Sequence, residues 1–119
     1  MLEFTNIEAD EEGAWTLAES LLEKAHSMMQ EAETALERFV TGKELNRQLC
    51  SSRGIGESDA EIRWNNTARA RKALADTSFN VAQATMYYGA ATANYSRALY
   101  LRATAAYPPE PAPAAAASV

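Results

Sequence analysis

Apolar residues in the first third of the chain recur with helical spacing. With Ala18, Ala25, Ala32 and Phe39 at heptad position a, position d holds Ala14, Leu21, Met28 and Ala35, and position e holds Trp15, Leu22, Met29 and Leu36. These three positions span roughly 100° of a helical wheel, the width of a stripe buried on one side. Position g turns charged after Leu17, with Lys24, Glu31 and Arg38. The pattern predicts an amphipathic first helix over about 6–40.

The stretch "VTGKELNRQLCSSRGIGESD" interrupts that periodicity. Thr41-Gly42 predicts a weakened helix, and Gly54-Ile55-Gly56 a turn, so about 41–58 reads as an irregular segment. Ser58-Asp59-Ala60-Glu61 then has the form of a capping box. It predicts a second helix over about 59–106, stopped by Pro108-Pro109. Residues 1–107 thus form a helical hairpin, and the low-complexity Pro/Ala sequence of 108–119 an extended tail.

Within the second helix a small residue returns every seventh position, at Ala68, Ala75, Ala82, Gly89, Ser96 and Ala103. Bulky residues flank that column: Leu74, Val81, Tyr88 and Tyr95 on one side, Phe79, Met86, Tyr100 and Tyr107 on the other. Small centres let two backbones approach while large flanks close over the seam. The expected intramolecular seam joins Ala68, Ala75, Ala82, Gly89 and Ser96 to Ala18, Ala25 and Ala32 of the first helix. Asn80 and Asn94 fall at position f, assigned to the outside.

The fold class expected is therefore all-α: two long antiparallel helices closed through small residues. The apolar and small arc of the second helix covers roughly 200°, about twice what one partner helix hides. A second copy, completing a helical bundle by oligomerisation, is the simplest cover. The predicted protein interface is Leu74, Val81, Tyr88, Tyr95, Tyr100 and Tyr107.

Charge supports the antiparallel arrangement. Residues 1–61 carry fourteen acidic and five basic side chains, and residues 62–119 two acidic and six basic, within a total of −5. A turn near Gly54 pairs positions whose numbers sum to about 109, bringing Glu37 near Arg71 and Lys72, and Glu8, Glu11 and Glu12 near Arg97 and Arg102. Overall acidity disfavours nucleic acid and anionic membranes as partners. No apolar run approaches the ~20 residues of a membrane span. "MLEFTNIEADEE" lacks the basic and apolar regions of a signal peptide, so the expected location is cytoplasmic or within a particle.

Candidate chemistry is sparse. Glu23 and His26 have Glu-x-x-His spacing but fall on outward positions, as do the pairs Glu19/Glu23 and Glu33/Glu37. No phosphate loop, nucleophile elbow or paired zinc-ligand motif occurs. Neither catalysis, nor a metal, nor a cofactor is expected. Cys50 has no companion for an internal disulfide. Arg63, Arg69, Arg71 and Lys72 cluster beside Trp64, Asn65 and Asn66 as a possible anion contact.

Acidity, length and the two-helix pattern resemble in shape the small substrates of type VII secretion. The marks of that family are Trp-x-Gly in the interhelical turn and Tyr-x-x-x-acid after the second helix. Trp64-Asn65-Asn66 lacks the glycine, and Tyr107-Pro108-Pro109-Glu110 is one residue short. The expected function is a non-catalytic structural or adaptor subunit that self-associates and docks into a larger assembly, viral or cellular. The alternatives are a leaderless export substrate or a small nucleic-acid or ligand-binding module.

Overall fold

The computed structural model describes residues 10–106. It is all-α, with α1 at Glu11–Ser52, α2 at Glu57–Asn65 and α3 at Ala68–Ala106. The two long helices α1 and α3 pack against each other as an antiparallel hairpin, and no strand occurs among the described residues.

Local chemistry accounts for each boundary. Asp10 Oδ1 accepts from the Gly13 amide at 2.6 Å, capping α1, and Glu11 and Glu12 in its first turn complement the helix dipole. The expected helix start near Asn6 and the expected Pro/Ala tail of 108–119 lie outside the described residues.

 The extent of α1 at its other end is set by Gly54, whose φ of 78° is the left-handed conformation that ends many helices. The Gly54 amide donates to Ser51 O at 3.0 Å and the Ile55 amide to Cys50 O at 2.9 Å, the paired bonds of a Schellman motif.

α1 therefore runs through Thr41-Gly42, where an irregular segment was expected. The reason is tertiary. The indole of Trp64 lies against the bare Cα of Gly42, so the glycine serves close packing and not a bend.

α2 also starts earlier than the capping box implies. Its N-cap is Gly56, with no side-chain cap, and Ser58 lies within the first turn. The second half of the chain then breaks once, at Asn66-Thr67, where one continuous helix was expected. Asn and Thr compete with helical backbone bonds through their own side chains. Thr67 does so twice: its hydroxyl donates to Trp64 O at 2.7 Å and accepts from the Ala70 amide at 3.1 Å, closing α2 and capping α3.

The described residues fall into two compact units, 10–22 with 87–106, and 23–86. In the first, Ala14, Ala18 and Leu21 of α1 are buried, as are Ala90, Ala91, Asn94 and Ala98 of α3. Leu21 packs with Ala90 and Ala91, and Leu17, Leu22, Tyr87 and Tyr95 cover them. In the second unit the buried set is Ala25, Ala32 and Ala35 of α1, Ala60 and Trp64 of α2, and Ala70, Ala73 and Ala84 of α3, with Cys50 at the end of α1. Alanine dominates both interiors, which permits close helix approach and buries little area per residue.

The α3 half of the expected seam is corrected by these positions. Ala68, Ala75, Ala82, Gly89 and Ser96 are all exposed, and the buried column is Ala70, Ala84, Ala91 and Ala98. α3 carries two small-residue columns, and the one facing α1 brings Asn80 and Asn94 inward with it. Asn94 Nδ2 donates to Ala90 O at 3.0 Å and Asn80 Nδ2 to Asp76 O at 2.9 Å. Each amide uses the carbonyl one turn back, which lowers the cost of hiding it.

Candidate functional site

The burial pattern turns the small-residue column of α3 outward together with its bulky flanks. In the unit 23–86, Leu74, Phe79, Val81 and Met86 are exposed beside Ala75 and Ala82. Phe79 has 63% of its surface accessible, while among the described residues no side chain larger than Leu21 or Asn94 is fully buried. α1 and α2 add Leu36, Val40, Leu45, Leu49 and Ile62 to the exposed apolar surface of this unit. Leu36 was expected in the buried stripe; it stands outside because the narrow alanine column already fills the space between the helices. Single exposed apolar residues are ordinary, but here they stand in a row along one helix.

Of the six interface residues read from the sequence, Leu74, Val81 and Tyr100 are exposed and Tyr88 and Tyr95 are half-buried. Tyr107 lies outside the described residues. Tyr95 sits in a cluster within the unit 10–22 and 87–106, its ring 5.6 Å from that of Trp15 in an edge-on arrangement. Arg102 lies 5.5 Å above the Trp15 ring, and its Nε donates to Glu11 Oε2 at 2.7 Å. The Trp15 indole donates to the same oxygen at 3.0 Å. Both donors hold the Glu11 carboxyl below its ordinary value, the indole contributing most.

Charge pairing elsewhere is more local than the sequence suggests. Arg97 lies 5.9 Å from the Tyr100 ring. Lys72 pairs with Asp76 at 3.2 Å on its own helix, and Arg71 donates to Asn66 Oδ1 at 3.3 Å. Pairs one turn apart need no interhelical alignment, whereas Lys43 of α1 reaches Glu61 of α2 at 3.5 Å. Arg63, Arg69, Arg71 and Lys72 are all exposed. Glu23 and His26 are exposed as well.

A groove in the unit 23–86 gathers part of this basic set. It has a volume of about 400 Å³ and is lined by Glu37 and Arg38 of α1, Trp64 of α2, and Arg69, Lys72 and Asp76 of α3, among others. Arg63 and Arg71 do not line it. Trp64 is 5% exposed, with the Phe39 ring 5.7 Å away and Gly42 beneath it. Its Nε1 is buried with no hydrogen-bond partner. An unmatched buried donor costs about 1–3 kcal/mol. Arg38 escaped the sequence reading, and Trp64, expected as an exposed ring beside the basic cluster, is instead buried at the base of the groove. The available signal was a glycine inside a helical pattern, which marks close approach by a bulky group.

No helix among the described residues is long and apolar enough to cross a membrane. Compared with protein-family models, curated proteins and solved structures, the chain finds no match.

Proposed function

We propose that the chain is a non-catalytic structural or adaptor subunit that self-associates through α3 and docks into a larger assembly. The observation that carries this reading is the outward row of Leu74, Phe79, Val81 and Met86 around the small residues Ala75 and Ala82. A small centre with large flanks accepts a second helix at short distance. A second copy suits that face better than a docked α1, because the outer surface of α1 carries the exposed carboxylates Glu31, Glu33 and Glu37. Between Asp76 and Arg97, α3 has no charged side chain at all. Apposed α3 helices bury uncharged surface and keep the acidic helices apart.

The test is sedimentation of the wild-type chain and of Ala82→Arg. Ala82 is exposed, so the substitution leaves the protomer folded while placing a charge in the centre of the contact. The wild type is expected to associate at micromolar concentration and the variant to remain monomeric with unchanged helicity. A wild-type chain that stays monomeric at high concentration overturns the reading. Native mass spectrometry from the natural source then identifies the companions in the larger assembly.

A further inference from the structure

The groove above Trp64 has features that self-association through α3 does not use. Arg38 and Arg69 approach it from different helices, and neither has an ion-pair partner among the described residues. The other cation, Lys72, is already held by Asp76 at 3.2 Å. Glu37 is the remaining carboxylate of the lining. Two guanidiniums without ion-pair partners offer planar forks of donors. Beneath them lies the indole of Trp64, nine-tenths buried and with its N–H unmatched.

We infer that this groove binds a small organic oxyanion, a carboxylate or a phosphate, clamped by Arg38 and Arg69 and accepting a hydrogen bond from Trp64 Nε1. The volume of about 400 Å³ lies in the range of small-ligand sites. Charge-assisted bonds from arginine to an oxyanion supply the directional part of the binding. The Nε1 atom is buried and unmatched, so donation to a bound anion requires a small shift of the indole toward the groove. With Lys72 paired to Asp76, the two arginines against Glu37 leave the lining with an excess of positive charge.

The indole resonances of the two tryptophans test this directly. The ¹⁵N-labelled full chain is titrated with succinate in one arm and inorganic phosphate in the other, at constant ionic strength. Trp64 is expected to shift saturably with at least one of them, while Trp15, whose N–H is already bonded to Glu11, stays in place. Arg38→Gln and Arg69→Gln are each expected to weaken binding about tenfold, as the loss of one charge-assisted contact does. Trp64→Phe removes the donor together with the part of the indole that meets Gly42, so its packing is checked by the chemical shifts of Gly42 and Ala73, and the same loss of binding is expected. No saturable shift with either anion overturns the inference. So does a shift that persists unchanged when both arginines are replaced, since that reports ionic strength and not a site.

Discussion

The Trp64 indole occupies the space that a side chain at Gly42 would need. A Cβ built on Gly42 would lie 2.7 Å from Cζ2 and 3.0 Å from Cζ3 of that ring, and nearer still to Cη2. Gly42→Ala therefore gains helix propensity of about 1 kcal/mol and loses more by displacing a buried ring. A net loss of about 1–3 kcal/mol is expected in urea denaturation. Gly89 is the control: it also lies within a helix, but nothing is within 4 Å of its Cβ position. Gly89→Ala is expected to stabilise the chain by about 0.5–1 kcal/mol.

The two faces of α3 separate by substitution of neighbouring alanines. Ala84 is 1% exposed and Ala82 is exposed. Ala84→Leu is expected to cost about 1–3 kcal/mol by overpacking, while Ala82→Leu stays within about 0.5 kcal/mol in the monomer. Equal costs would mean that the seam does not run along Ala84.

Thr67 joins two helices with one hydroxyl. Thr67→Ala is expected to lose about 0.5–2 kcal/mol, read by chemical denaturation, and Thr67→Ser to recover most of it. A serine variant as weak as the alanine variant would assign the effect to the methyl group and not to the cap.

Acid stability is expected to depend on Glu11 and Glu44. The Glu11 carboxyl is held below its ordinary 4.5 by the indole of Trp15 first and Arg102 next. Glu44 is lowered to about 2 by Arg47 first and Gln48 next. Folded values below the unfolded ones give a contribution that is present above 4.5 and lost as pH falls through the folded values. Both groups are exposed to screening, so the effect is modest. The wild type is expected to exceed the Glu11→Gln, Glu44→Gln double variant in stability at neutral pH, with the gap closing toward pH 2. A gap that is the same at both ends would remove these carboxylates from the account.

Periodicity alone was enough to give two long packed helices, because the stripe of α1 is narrow and its outer face charged. It did not choose between the two small columns of α3, since Ala75 and Ala82 differ from Ala84 and Ala91 only in phase. The asparagines decided the wrong way: a polar position reads as solvent-facing, yet Asn94 hides by bonding to its own helix. The break at Thr67 has a local cause visible in Asn65-Asn66-Thr67, whereas the continuity of α1 through Gly42 depends on Trp64, which is distant in sequence. The groove was half legible: Arg69 and Lys72 belong to the basic cluster, but Arg38 joins them only through the packing of α1.

An interior lined chiefly with methyl groups leaves a single protomer thinly insulated from unfolding, because each alanine withdraws so little surface from water. Leu74, Phe79 and Met86, which would withdraw far more, stand exposed on the protomer and are free to be covered by the self-association proposed above. The midpoint of thermal melting should then climb as the solution is made more concentrated, as it does whenever the native form alone associates.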